Sequence, residues 1–301
     1  MIGFVVLNYI SWDDSVRCIE SILCDEFDED FRVYLVDNAS PISPGRKMME
    51  IVNSSKVYLI QNRENLGYAR GNNVGIEVAI NDGCEAVFVV NSDVIFLKGS
   101  IKEMLEFLKQ RPKVGIVGPR VLDSQGVEQW SRMLIKTGLR EKYLFRTILR
   151  KLFPRIQTKY FGEYGCTSPE VVHAVSGCCF MISRECALSL SPVFDENTFL
   201  YEEEFILGIR MNMAGFETVY LPNSTVVHLH GQSSKHIKAF SFIEFVRSEI
   251  HYCKSYLGAS TISIIPLYMI RFSSYVSRIF LSKDFLKTFP SFLRRTIPSL
   301  F

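Results

Sequence analysis

Long apolar runs are missing from this 301-residue sequence. The most apolar late stretch, ISIIPLYMI at 262–270, falls far short of the roughly 20 residues a bilayer span needs, and it contains Pro266. No transmembrane segment is therefore expected. A basic leader is missing too: MIGFVVLNYISWDD enters a strand pattern at once and does not read as a signal peptide. Charge of one sign is not in excess, with 34 Lys and Arg against 32 Asp and Glu. Without an interleaving of aromatic and basic residues, nucleic acid is not an expected partner. The eight cysteines, at 18, 24, 84, 166, 178, 179, 186 and 253, form no CxxC and no zinc or disulfide spacing, which fits a reducing compartment.

What is present is enough apolar residue, 48% of the chain, for a packed core rather than disorder. Through the first 120 residues, short runs rich in Val, Ile and Phe alternate with segments of helical period. That alternation indicates a mainly parallel α/β sheet. Strands are expected at 2–7, 32–37, 56–61, 86–91 and 114–119, and helices at about 14–24, 68–81 and 99–110. Further on, GVEQWSRM at 126–133 reads as a strand, and 171–190 as a strand pair or a strand and helix around Ser176-Gly177. A helix after Glu202-Glu203-Glu204 should end at Gly215, ahead of the strand STVVHLH.

Each early strand ends in compact polar residues: Asn8-Tyr9, Asp37-Asn38-Ala39-Ser40, Gln61-Asn62 and Asn91-Ser92-Asp93. Any one of these could be a solvated turn. Four in succession point to a ligand at the carboxyl edge of the sheet, where α/β proteins bind. Gly67, Gly71 and Gly75 lead into a helix, and glycine there lets backbone approach a ligand while the helix N-terminus favours an anion. A nucleotide diphosphate beside Asp93 would need a divalent cation between the like charges, and Asp93 supplies the hard oxygen such ions prefer. Acids opening a helix are structurally welcome. Partial burial by Phe194, Phe199 and Tyr201 would raise their pKa toward that of a general base. His228 and His230 share one strand face, where histidine is more often packed than ligating.

Taken together, DNAS at 37, ENLGYARGNNVGI at 64, NSD at 91, SGCCFMISR at 176, FDENTFLYEEEFILGIR at 194, AGFETVYLPNSTVVHLHGQS at 214 and FVRSEIHYCKSY at 245 resemble the family 2 inverting glycosyltransferases of GT-A fold. The likeness is to the bacterial rhamnosyltransferase-like branch, over about residues 2–255. It implies a nucleotide-diphospho-sugar donor, held by Leu7, Asn8, Tyr9, Asp37, Asn38, Asn62, Leu66, Gly67, Gly71, Asn72, Asn91, Ser92 and Asp93. It implies a divalent cation, Mg or Mn, on Asp93 and His228, with Glu204 as base by position and Glu203 as its neighbour in the catalytic pair. Gly177, Tyr201 and Glu203 fall on the acceptor side, although Gly177 could equally serve tight backbone packing. The family's Asp-X-Asp motif has only Asp93 here, with Asn91 at its first position, and its Glu-Asp pair appears as Glu203-Glu204.

The expected chemistry is inverting transfer of a hexosyl or deoxyhexosyl group to a hydroxyl of a glycan or lipid-linked glycan, in bacterial surface polysaccharide assembly. The alternatives are a sugar nucleotidyltransferase, which would want a basic Gly-rich loop that the N-terminal segment lacks, and a catalytically degenerate sugar-nucleotide-binding module at a membrane surface. A GT-A catalytic domain is expected over 1–235, with a nucleotide half to about 120, an acceptor half beyond it and a basic insert at about 138–160. A helical, basic and apolar extension is expected over 236–301. In the insert, Leu139, Tyr143, Leu144, Ile148, Leu149 and Leu152 recur near helical spacing among Arg140, Lys142, Arg146, Arg150 and Lys151. In 271–301, Phe272, Tyr275, Ile279, Phe280, Phe285, Phe289 and Phe292 accompany six basic residues. Both segments suggest a peripheral contact with the cytoplasmic face of the membrane, the tail being too short for a core of its own.

Overall fold

The computed structural model describes residues 1–144, 154–229 and 238–301, apart from the side chains of 154–157. Its first part follows the apolar alternation: β1 (Ile2–Asn8), α1 (Trp12–Leu23), β2 (Phe31–Asp37), α2 (Arg46–Val52), β3 (Val57–Gln61), α3 (Gly67–Asn81), β4 (Ala86–Asn91), β5 (Val94–Phe96), α4 (Ser100–Lys109) and β6 (Val114–Asp123). Parallel pairing joins β1 to β2 and β4, which are buried on both faces as their unbroken apolar runs require, and joins β2 to the edge strand β3, whose Tyr58 is exposed. The short elements α2, with Met48 its one buried residue, and β5, three residues long, carry too little periodicity to be read in advance.

The second part comprises β7 (Arg132–Met133), α5 (Leu139–Leu144), α6 (Pro154–Phe161), β8 (Glu170–Val172), β9 (Ala174–Val175), β10 (Cys179–Ser183), α7 (Arg184–Leu190), α8 (Glu203–Ala214), β11 (Glu217–His228), α9 (Ala239–His251), α10 (Thr261–Ile279) and α11 (Lys283–Leu300), with a π-helical turn over Tyr252–Tyr256. The sheet runs β3-β2-β1-β4-β10-β6-β11-β5, with β8 also on β11. Strand β10 enters antiparallel between β4 and β6, a pairing that no local pattern reveals. The strand expected over 126–133 shrinks to β7. Its upstream half is a turn in which Asp123 Oδ1 accepts the Gln125 and Val127 amides and Gly126 sits at φ +79°.

One sheet face packs on α1 and α4 through Phe4, Ile19, Phe88 and Met104, and the other on α3 and α7 through Val36, Ile76, Phe180 and Ala187. A third core joins Ile206 and Ile209 of α8 to Phe242 and Val246 of α9, Tyr275 of α10 and Phe292 of α11. The tail thus shares a core with the helix that begins at the acidic triplet, contrary to the expectation that its aromatics stay available. Tyr275, Phe285 and Phe292 are buried, whereas Phe280 and Leu281 are both 84% exposed. Arg271 makes a buried two-point ion pair with Glu249, at 2.7 and 2.8 Å, and Arg295 reaches Glu244 at 2.6 Å. The insert helix is seen as α5. Arg146, Ile148, Leu149, Arg150, Lys151 and Leu152 lie outside the described residues. Lys142, expected among solvated or lipid-facing charges, is buried against Glu202, and Tyr143 Oη donates to the Ser263 carbonyl of α10 at 2.5 Å. No helix among the described residues is long and apolar enough to cross a membrane.

Candidate active site

The carboxyl ends of β1 and β2 meet through a hydrogen-bonded polar cluster. Asp37 Oδ1 accepts from the Asn8 amide at 3.0 Å and from the Ser40 hydroxyl at 2.5 Å, while Ser40 Oγ also accepts the Ile10 amide at 2.8 Å. Asn38 accepts from Asn62 Nδ2 and the Leu66 amide, and donates to Asn65 and the Gly67 carbonyl, all within 3.0 Å. Asn8 and Asn38 are therefore buried struts of the edge. Tyr9, 44% exposed, is the side chain of this group that faces out.

The helix N-terminus does not offer the anion cradle the sequence suggested. The amides of Leu66, Gly67 and Tyr68 are taken by Asn38, Asn65 and the Phe199 carbonyl. A Cβ on Gly67, which sits at φ +77°, would come 2.4 Å from that same carbonyl. On Gly71 it would strike Leu7 at 2.7 Å, and on Gly75 Val5 at 2.4 Å. These glycines bring the helix and its leading loop close to protein rather than to a ligand. Asn72 is fully buried on the same helix and donates to the Tyr68 carbonyl, and its Oδ1 has no partner among the described residues.

Asn91 closes β4, and Ser92 and Asp93 form the turn into β5, so the turn and the acid coexist. Strand β5 pairs with β11 in a register that sets Val94 opposite His228. As a result Asp93 Oδ1 lies 3.1 Å from His228 Nε2, 135 positions apart in the chain. Cations bound at 2.0–2.1 Å in octahedral geometry hold adjacent ligands about 3 Å apart, so this oxygen and nitrogen fit two neighbouring positions around one ion. Among the described residues no cluster of three or more His, Cys, Asp or Glu side chains surrounds that point, and His230 lies outside them.

The acidic triplet opens α8 on strained backbone. Tyr201 and Glu202 sit at φ +73° and +71°, and the other non-glycine residues in that region, Ile10 and Ala39, flank the β1 and β2 ends. Such conformations cost about 1–3 kcal/mol each and collect where function fixes the chain. Each glutamate has a separate environment. Glu202 is paired with buried Lys142. Glu203 is 4% exposed, and its Oε1 has no partner among the described residues. Burial, and then the charge of Glu204, push its pKa well above the usual carboxylate range. Glu204 Oε1 accepts the Gly177 amide at 3.2 Å, and the Gly177 carbonyl accepts the Tyr68 hydroxyl at 2.5 Å. A Cβ at Gly177 would come 2.5 Å from Glu204 Oε1, so this glycine lets backbone approach the acid.

Of the aromatics expected to shield the acids, Phe194 is buried against Tyr68, and Tyr201 meets Phe245 edge-on. Sequence reasoning missed Tyr68, although it stands inside the quoted glycine-rich motif. Burial and then Glu204 and Glu203 push its hydroxyl pKa up, which keeps it a donor. Also missed were Lys142 as a partner of Glu202 and the part of the chain around Trp130. A cavity of about 450 Å³ gathers Asn91, Gly177, Glu203, Glu204 and His228 with Trp130 in its walls.

A profile of known sequences, Glycosyl transferase family 2, matches residues 4–188. The N-acetylglucosaminyl-diphospho-decaprenol L-rhamnosyltransferase of Mycobacterium tuberculosis is 31% identical over 216 residues, 67% of each chain. The low-salt glycan biosynthesis hexosyltransferase Agl10 of Haloferax volcanii is 27% identical over 205 residues, 67% of this chain and 59% of that one. Among solved structures, GalNAc-T7 with UDP, GalNAc and Mn2+ superposes with a TM-score of 0.58 at 15% identity, over 76% of this chain and 43% of that one. S. aureus TarS 1–349 in complex with UDP-GlcNAc superposes with a TM-score of 0.52 at 18% identity, over 82% and 64%. The architecture is the GT-A arrangement, a mostly parallel sheet flanked by helices with a helical C-terminal region, and the chain is a glycosyltransferase that belongs to glycosyl transferase family 2.

Proposed function

We propose that the enzyme transfers a sugar, with inversion, from a nucleoside diphosphate donor to a hydroxyl of a lipid-linked saccharide, and that Glu204 is the base. The observation that carries this is the single cavity whose walls hold both Glu204 and His228, the partner of Asp93. The acceptor oxygen and the leaving diphosphate can therefore meet in one space. The nucleoside would lie along the β1 and β2 ends. The Tyr9 ring is exposed there, and the bonds to Asp37 all converge on Oδ1, which leaves Oδ2 to receive a hydroxyl. Asp93 and His228 would hold a divalent cation, which when bound neutralises charge on the diphosphate.

Glu204 takes the acceptor proton as the acceptor oxygen bonds to the anomeric carbon. The bond from that carbon to the diphosphate oxygen breaks on the opposite face, and the electron pair leaves with the nucleoside diphosphate. Positioned proton transfer is worth about 10²–10⁴ in rate. Gly177 fixes one oxygen of the base, and elevated proton affinity keeps Glu203 neutral, so two adjacent carboxylates do not both carry charge.

A lipid-linked acceptor is supported by the name of the mycobacterial relative. It is supported too by exposed apolar residues of the C-terminal region, Ile262 of α10, Phe280 and Leu281 in the turn before α11 and Phe301 after it, and by exposed Lys283, Lys287 and Arg294 of α11. The corresponding location is the cytoplasmic face of the membrane, reached by surface contact. The test is whether Glu204→Gln separates turnover from donor binding.

A further inference from the structure

The cavity has a second kind of wall. Trp130 lines it together with Met133, Phe161 and Val175, while Glu203 and Glu204 line it from α8. The indole is 39% exposed yet fixed in place. It meets Phe161 edge-on at 5.3 Å and 80°, and Tyr164 at 5.0 Å and 60°. A large ring held this way keeps apolar surface open to water with little freedom to hide it, and covering that surface with a ligand is favourable. The second observation is independent: Glu203 lines the same cavity, and its Oε1 is buried with no partner among the described residues. A buried polar atom of this kind costs free energy unless something bonds to it.

A pyranose meets both demands. One face presents C–H groups that pack on an aromatic ring, and its edge carries hydroxyls. Resting on the transferase reading above, we propose that Trp130 is the stacking platform for the acceptor's terminal pyranose and that the Glu203 carboxyl bonds a hydroxyl of the same sugar. The sugar is then held between platform and carboxyl so that another of its hydroxyls faces Glu204. This assigns acceptor specificity to the segment between β6 and β7, outside the family's sequence motifs quoted above. Lipid is not what the platform holds, because an acyl chain would leave the Glu203 oxygen unpaired.

The chain has two tryptophans, and the other, Trp12, is 6% exposed with its indole N–H bonded to the Ile42 carbonyl. Emission from Trp130 therefore reports on the cavity. Titration with methyl N-acetyl-β-glucosaminide should change tryptophan emission saturably in wild type and leave it unchanged in Trp130→Phe. In steady state with an N-acetylglucosaminyl diphospholipid acceptor, Trp130→Ala should raise the acceptor KM about tenfold or more. Trp130→Phe should recover most of that loss, and both variants should keep the donor-induced rise in unfolding temperature. An acceptor KM in Trp130→Ala within twofold of wild type overturns the platform, as does an emission change that persists in Trp130→Phe. Wild-type protein that releases no nucleoside diphosphate from any donor overturns the transferase reading instead, and the emission titration separates the two failures.

Discussion

Glu203 and Glu204 are adjacent in sequence and opposite in circumstance. Glu204 is held at the Gly177 amide, whereas Glu203 is enclosed at the start of α8 with its pKa raised by burial and then by its neighbour's charge. A carboxyl whose folded pKa lies above its unfolded value, about 4.3, releases its proton first in the unfolded chain. The folded state therefore loses stability as pH rises from that value toward the folded pKa, by up to about 1.4 kcal/mol per pH unit. Glu203→Gln keeps the shape of the neutral acid and removes this linkage. Urea denaturation at pH 5 and pH 8 should show the variant losing less stability than wild type over that interval. An identical pH dependence in the two proteins would mean that Glu203 is ionised in the fold. The sequence showed three adjacent acids but could not assign them to these environments, because the groups that distinguish them, Lys142 at Glu202 and the Gly177 amide at Glu204, come from distant parts of the chain. Gly177 left two roles open in the sequence, and the structure places it both against Glu204 and in the cavity wall.

At the level of elements, β1, β2 and β4 were legible because parallel strands buried on both faces are continuous apolar runs. Their partner order was not, since β10, which begins at Cys179, lies between β4 and β6, which ends at Asp123. The glycines of α3 were legible as close approaches, but what they approach, Leu7, Val5 and Phe199, is set by packing. Helix α5 carries the least expected link. Lys142 sits over the rings of Phe205 and Tyr252 at 4.1 and 4.5 Å and pairs with Glu202, and its backbone carbonyl accepts from Arg271 Nη2 at 2.8 Å. The basic insert and the C-terminal helices are thereby joined to the left-handed residue that precedes Glu203. Lys142→Met should destabilise the fold by about 3–5 kcal/mol by leaving a buried carboxylate unpaired. Adding Glu202→Gln should return a large part of that loss. The double-mutant cycle in urea measures it, and additive losses would show that the two side chains act independently.

At the scale of the whole molecule, the C-terminal helices belong to the third core rather than trailing from the enzyme. Their sequence looked amphipathic and too short to fold alone, but its aromatics found partners on α8 and α9. The proposed membrane contact therefore falls to what stays outside: Phe280 and Leu281 at the α10–α11 turn and the exposed Lys283, Lys287 and Arg294. Basic side chains near an anionic surface contribute about 1 kcal/mol each, and the attraction fades within a Debye length. Co-sedimentation with vesicles should rise with anionic lipid content, fall with salt, and weaken in Phe280→Ser/Leu281→Ser. Binding indifferent to lipid charge and salt, or no binding by the full chain, would leave these helices as a brace for the catalytic loop alone.

The central claim is that one carboxylate, Glu204, accepts the acceptor proton in the cavity it shares with His228. Its most direct test is turnover of Glu204→Gln measured beside the donor's effect on unfolding temperature. The amide is close in shape but cannot take a proton at neutral pH, so turnover should fall about 10²-fold or more while the donor-induced rise in unfolding temperature stays at its wild-type size. Turnover close to wild type in this variant would contradict the account.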